Sequence, residues 1–254
     1  MAWAGLIGTV TAFAASAMNS IAGGGTFIAF PTLVSVIGMT EKAANATCTV
    51  GLWPGYAAAI AAARKDLAKE PRELLKTLMI VSAIGGAIGA ALLLLTPPAL
   101  FKQVVPILLG AGTILFASGP RINAALGRTG HGAISRPIMY PVITLAAIYN
   151  GYFGAGGGVI VIAALGLCGI TETWRANVFK TVVQATSNAT ALMVLAVSSI
   201  AWNVAGGMWI GAAIGGFAGM WIAGRMPRNL LRAIIIIAGA VLTIVYARAA
   251  FLRV

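Results

Sequence analysis

Asn19-Ser-Ile-Ala-Gly-Gly-Gly-Thr-Phe27 closes one apolar run and opens the next, and it returns in altered form as Asn150-Gly-Tyr-Phe-Gly-Ala-Gly-Gly-Gly158. Both copies are flanked by sequence too apolar for a surface loop. Glycine lets a chain unwind and lets other groups approach its backbone. Within hydrocarbon, unwound backbone survives only where it is buried in protein or lines a wet cavity. Two such breaks in corresponding positions of two halves point to a transporter site.

The surrounding composition sets the class. The 254 residues are 60% hydrophobic and 9% charged, with mean hydropathy +0.96, and apolar runs recur from Trp3 to Leu252. This is the pattern of an all-α polytopic membrane protein with membrane lipid as its solvent. A transmembrane β-barrel would show short alternating segments instead. The opening Met-Ala-Trp-Ala-Gly lacks the basic n-region of a cleaved signal, so the first run is expected to be a retained helix. The balance of 17 Lys and Arg against 5 Asp and Glu follows from basic inter-segment loops that fix orientation; it does not imply nucleic acid. Cys48 and Cys168 lie in apolar segments without ligand-spaced partners, so neither a disulfide framework nor a metal site is expected.

Ten hydrophobic segments are expected, at 3–19, 25–38, 43–63, 74–95, 99–118, 137–152, 157–168, 176–198, 203–223 and 229–250. The second and seventh, directly after the glycine triplets, span 14 and 12 residues, against the roughly 20 that cross the hydrocarbon core. They read as half-helices completing a crossing begun by unwound chain, or as re-entrant pieces; the charge distribution favours crossing. With ten crossings and the N-terminus outside, the cytoplasmic connections carry Arg64, Lys65, Lys69, Arg72, Lys76, Arg121, Arg128, Arg136, Arg175, Arg225, Arg228 and Arg232. The outside keeps Lys42, Lys102, Arg248 and Arg253. That bias places both termini outside.

Five segments then precede the second glycine break, which makes the halves an inverted five-plus-five repeat. Gly38-Met-Thr-Glu41 answers Gly169-Ile-Thr-Glu172, and Ala44-Asn45 answers Ala176-Asn177, at offsets of 131 to 133 residues. The expected division is a first repeat over 1–118, a basic cytoplasmic linker over 119–136 and a second repeat over 137–254. Gly207, Gly211, Gly215 and Gly219 form one helical ridge, echoed by Gly85 and Gly89, suited to close helix packing within a protomer or in a homodimer.

The segments after the half-helices carry polar stripes. Asn45, Thr49, Trp53 and Tyr56 share one face of the third segment; Asn177, Lys180, Thr181, Gln184, Ser187 and Asn188 share one face of the eighth. Such stripes can be interhelical glue, and Lys180 can snorkel to the cytoplasmic interface. A lysine one turn inside a membrane helix, beside polar residues, points instead to an anion site. Helices starting just after Gly25 and Gly158 would aim unpaired N–H groups at the break. The expected substrate contacts are Asn19, Gly23, Gly24, Gly25, Thr26, Asn150, Gly156, Gly157 and Gly158 around the breaks, with Asn45, Thr49, Trp53, Asn177, Lys180, Thr181, Gln184 and Asn188 from the stripes. No carboxylate pair lies in the membrane to hold sodium or relay protons; Glu41 and Glu172 read as caps or loop residues and His131 as solvated. No nucleotide loop, catalytic triad or metal-ligand cluster is present, so the chain reads as a non-enzyme without a cofactor.

Asn19 to Phe27 with Phe30-Pro-Thr-Leu33, Ala43-Ala-Asn-Ala-Thr47 and Leu52-Trp-Pro-Gly55 resembles the first half of the TauE/SafE sulfite exporter family. Tyr149 to Gly158 and Asn177-Val-Phe-Lys180 are similar to its second repeat. Cys48 and Thr181 depart from that pattern by standing where a second polar amide is expected. The resemblance implies a bacterial inner-membrane secondary transporter, usually an exporter, of sulfur-containing oxyanions such as sulfite or of organosulfonates such as sulfoacetate. The rival readings are a passive anion channel and a non-transporting membrane subunit.

Overall fold

The computed structural model describes residues 2–127, 136–170 and 172–223, and within the C-terminal stretch 236–237, 240–241, 243–245 and 247–248. Its helices are α1 (Ala2–Ile21), α2 (Thr26–Ser35), α3 (Glu41–Ala62), α4 (Arg64–Leu67), α5 (Arg72–Leu95), α6 (Pro98–Gly127), α7 (Arg136–Tyr152), α8 (Gly157–Leu167), α9 (Thr173–Leu195) and α10 (Trp202–Ile222). There is no strand among the described residues. Most of the predicted tenth segment lies outside them, as do Arg128, His131, Arg225, Arg228, Arg232 and Arg253. The described part of the predicted linker continues α6 as helix to Gly127.

By length and apolarity, α1 from Trp3, α5 and α10 can each cross a membrane; α2, α8 and the Pro98–Ile114 part of α6 are shorter apolar helices. The long helices α3 and α9 are less apolar because they carry the polar stripes. The outer faces suit lipid. On α5, Ile80, Ile84, Ile88 and Leu92 recur every fourth residue and are all exposed, as are Ile210, Ile214, Phe217 and Trp221 on α10. In water a continuous apolar surface of this kind would drive association.

The ends of the short helices have local causes. The break before α2 turns at Gly23, whose φ of +83° is open to glycine without strain. The break before α8 turns the same way at Gly156, φ +72°. Helix α9 begins before the predicted 176 because the Glu172 carboxylate accepts the N–H of Trp174 and of Arg175, at 2.9 and 2.7 Å. This satisfies two of the orphan donors at the helix start.

Packing is reciprocal between the halves. Helix α1 lies along α10 as α7 lies along α5; α3 packs on α10 as α9 packs on α5; α3 and α9 meet in the centre. The glycine ridge makes the first of these contacts within the protomer. A Cβ on Gly207 would come 2.8 Å from Gly5 O, those on Gly211 and Gly215 would overlap Thr9 O and Phe13 O, and that on Gly219 would come 2.5 Å from Ala17 O. Every fourth residue of α10 thus faces every fourth residue of α1.

Helices α3 and α9 run between two ends of the molecule. At one end the α4 loop grips the start of α9: Arg175 donates from Nε and Nη2 to the two carboxylate oxygens of Glu70, at 2.9 and 2.6 Å. Trp174 Nε1 donates to Asp66 Oδ2 at 3.2 Å. At the other end, a half-open cavity of about 350 Å³ lies among Thr40, Ala43, Leu93, Pro98, Leu195 and Ser198.

Candidate functional site at the paired glycine breaks

The two breaks touch. Gly158 N–H donates to Gly23 O at 3.3 Å, and a Cβ on Gly23 would lie 2.6 Å from Gly158 Cα. Only paired glycines allow the two chains to pass this closely. Thr26 and Gly157, the first residues of α2 and α8, therefore start beside one crossing point. Two helix N-termini converging in the interior direct partial positive charge at the same place.

Asn19 and Asn150 end α1 and α7 and fold over the helix that follows. Asn19 Oδ1 accepts the Gly25 N–H at 2.7 Å while its Nδ2 donates to the Tyr56 hydroxyl at 3.0 Å. Asn150 Nδ2 donates to Ala146 O at 3.1 Å, and its Oδ1 lies where a Cβ on Gly157 would be. That oxygen is buried without a hydrogen-bond partner.

The predicted backbone donors are largely engaged. Gly23, Gly25, Gly157 and Gly158 all spend their N–H groups inside the protein, on Met18 and Asn19 O, Asn19 Oδ1, Gly154 O and Gly23 O respectively. Trp53 is glue between helices: its Nε1 donates to Ala185 O on α9 at 3.1 Å. The hydroxyls of Thr49 and Thr181 bond back to Asn45 O and Asn177 O, each four residues earlier.

Lys180 is fully buried, and its ammonium donates to Asn19 O at 2.7 Å, Ser20 O at 3.2 Å and Asn177 Oδ1 at 2.8 Å. An ammonium has three donors, and here there are three acceptors. Two are carbonyls at the C-terminal end of α1, the negative end of its dipole. The cation predicted to hold an anion directly thus holds the end of α1, and any effect on an anion acts through its charge and the backbone it fixes. Asn177 completes the clamp, donating from Nδ2 to Ser20 O at 3.1 Å.

Beside the crossing is a cavity of about 10 Å³ lined by Thr26, Cys48, Thr49, Leu52, Tyr56, Phe153, Gly154 and Asn188. It collects three of the predicted residues, Thr26, Thr49 and Asn188. Of the others, Tyr56 shared their stripe, whereas Cys48, Leu52, Phe153 and Gly154 were not predicted as contacts. For the first two the helical period was the available signal, since Leu52 lies three residues after Thr49, and Cys48 three after Asn45 and four before Leu52, spacings that share one face. Phe153 and Gly154 lie inside the Asn150 to Gly158 break, which was their signal. The volume suits about one water molecule, so a larger ligand requires α2, α3, α9 and the Phe153 and Gly154 break to separate. Gln184 lies near this face of α9 with both side-chain amide atoms buried and unpartnered, and Asn45 Oδ1 is likewise unpartnered.

Sequence comparison gives this arrangement a family. The profile described as "Sulfite exporter TauE/SafE" matches residues 8–246. The chain belongs to the TauE/SafE sulfite exporter family. Similar proteins include a "Probable membrane transporter protein" of Haemophilus influenzae, 27% identical over 91% of this chain and 89% of that protein. "Probable membrane transporter protein ORF9" of a Sinorhizobium species is 26% identical over 92% and 89%. "Probable membrane transporter protein YfcA" of Escherichia coli K12 is 26% identical over 91% and 85%. No solved structure matches the chain. A TauE/SafE protein with apolar outer faces is a multi-pass membrane transporter.

Proposed function

We propose that the chain is a secondary transporter, not an enzyme, which exports sulfur-containing oxyanions such as sulfite or organosulfonates across a bacterial inner membrane by alternating access. The carrying observation is the contact of the two glycine breaks beside the cavity that gathers Thr26, Thr49, Tyr56 and Asn188. Converging helix N-termini favour an anion there without a direct cationic ligand. The buried charge of Lys180, held on Asn19 O and Ser20 O at the end of α1, adds to that potential.

The reciprocal helix pairing supports an inverted five-plus-five repeat. Its two bundles, α1 with α10 and α5 with α7, would rock about the central α3 and α9. The end bearing Arg64, Lys65, Lys69, Arg72 and Arg175 is then cytoplasmic by the positive-inside rule, with Lys42 and Lys102 opposite. In this frame the Arg175 and Glu70 clamp closes the cytoplasmic side and the 350 Å³ cavity is an external vestibule.

The test is saturable flux in proteoliposomes together with thermal stabilisation in detergent, across sulfite, sulfate, thiosulfate, sulfoacetate, taurine, phosphate and chloride. One sulfur oxyanion should saturate transport and raise the unfolding midpoint, because a ligand of the folded state stabilises it by mass action. Flux that rises without saturation would convert the reading to a channel. An absence of both flux and stabilisation would overturn it in favour of a structural subunit.

A further inference from the structure

The ends of α1 and α7 are built alike. Ala22 and Gly23 both donate N–H to Met18 O, at 2.8 and 3.1 Å; Phe153 and Gly154 both donate to Tyr149 O, at 2.9 and 3.1 Å. Asn177 reaches from α9 to the end of α1, where its Nδ2 donates to Ser20 O at 3.1 Å; Asn45 reaches from α3 to the end of α7, where its Nδ2 donates at 2.8 Å to Tyr152 O, one residue beyond the carbonyl that matches Ser20 O. Thr181 and Thr49, four residues further along, make the same back-bond. In this register the residue matching Lys180 is Cys48. The carbonyls matching Asn19 O and Ser20 O are Asn150 O and Gly151 O, and the oxygen matching Asn177 Oδ1 is Asn45 Oδ1.

The first set holds an ammonium. The second has no cationic side chain at the matching position, and Asn45 Oδ1 is buried with no partner on a residue only 1% exposed. Helix-end carbonyls lack intrahelical partners and lie at the negative end of the dipole. Removing a buried acceptor from water without a partner is costly. The cavity bounded by Cys48, Thr49, Phe153 and Gly154 borders this end of α7 and has the volume of about one water.

The structure assigns to the end of α7 a binding site for a monovalent alkali cation, held by Asn45 Oδ1, Asn150 O and Gly151 O in the place that the Lys180 ammonium takes at the end of α1. All three ligands are neutral oxygens, which suits a hard cation of single charge; a buried divalent ion would call for carboxylates. Unwound helix ends bind coupling ions in other transporter architectures by the same chemistry. The expectation that the lack of intramembrane carboxylates excludes sodium is thereby replaced, because carbonyl and amide oxygens suffice. Use of the ion to drive transport rests on the proposed function, but the site itself does not.

The experiment is the unfolding midpoint of purified protein in lithium, sodium, potassium or choline chloride at constant ionic strength. One alkali cation should raise the midpoint saturably over choline, by roughly 5 °C or more at about 100 times its Kd. Asn45→Ala should abolish the response. Cys48→Lys, placing an ammonium in the cradle, should no longer respond to salt. Equal midpoints in all four salts, or a wild-type response in Asn45→Ala, would overturn the site. Should Asn45→Ala fail to fold, Asn45→Asp decides: its carboxylate should strengthen the response, and an unchanged response counts against the assignment. Anion stabilisation measured in choline salts tests the transport reading separately, so either idea can fail alone.

Discussion

At the end of α1 a buried ammonium meets three oxygens, whereas at the end of α7 the matching position carries the thiol of Cys48 and an amide oxygen is left unpaired. The backbone at the two ends is nearly the same, so the difference lies in what each helix end is given to stand against its dipole. One end carries its counter-charge covalently. The other presents an open set of acceptors beside the cavity. Two helix ends with merely structural roles would need no such asymmetry.

The largest effect is expected at Lys180. Lys180→Met removes a charged donor from three buried acceptors; hydrogen bonds to a charged group contribute about 1.5–3 kcal/mol each, though their losses are not additive. A loss of about 3 kcal/mol or more should appear as a fall of several degrees in the unfolding midpoint or as loss of folded protein. Cys48→Ala should shift the midpoint by less than a third of that. Equal effects would show that the two ends are energetically equivalent and break the comparison.

Next comes the crossing. Gly158→Ala must push apart two chains that now touch, so transport should fall at least tenfold. Gly23→Ala adds the strain of a positive φ, about 1–2 kcal/mol. Gly206→Ala is the control, since a Cβ there meets nothing within 4 Å and alanine is the better helix former by about 0.5–1 kcal/mol. Normal flux in Gly158→Ala would place the substrate path elsewhere. Within the cavity, Thr26→Val and Asn188→Leu should each weaken anion affinity about tenfold, the worth of one buried hydrogen bond, with little change in the choline-salt midpoint. Unchanged affinity in both would separate the cavity from the site.

Both breaks and both short helices were legible because glycine clusters and the length of an apolar run are local properties. The reading of α2 as 25–38 overshot because the helix turns off after Ser35 toward Gly38, whose φ is +81°. The stripes on α3 and α9 were found by helical period, which identifies a face but not the neighbour that the face meets. Trp53 and Thr49 share a face, yet Trp53 bonds α9 while Thr49 lines the cavity. Lys180 was singled out as a cation about one turn inside a membrane segment, beside polar residues. Asn177, three residues earlier on the same stripe, is one partner; the other two are backbone oxygens about 160 positions away, and no side-chain pattern encodes a carbonyl.

The smallest effect is expected far from the breaks, where an ordinary ion pair joins the α4 loop to α9. Arg175 and Glu70 retain 34% and 15% side-chain exposure, so the pair is screened and Arg175→Lys, which loses the bidentate geometry, should cost about 1 kcal/mol or less. Asp66 shares this end. The hydrogen bond from Lys69 and that from the Trp174 indole hold its carboxyl below the ordinary 3.8. A carboxylate whose pKa is depressed by folding contributes stability that is present above its unfolded pKa and is lost as pH falls through the lower folded value. The Asp66 contacts should therefore be unaffected by pH across the neutral range and weaken only below about 3.8. The measurement is midpoint against pH for wild type and Asp66→Asn, with curves parallel at neutral pH and converging only in strong acid. If the clamp of Arg175 and Glu70 governs access, Arg175→Lys should change transport rate by more than its small stability cost implies. A rate that tracks stability alone would make this end a passive tie and leave the asymmetry at the breaks as the functional difference between the halves.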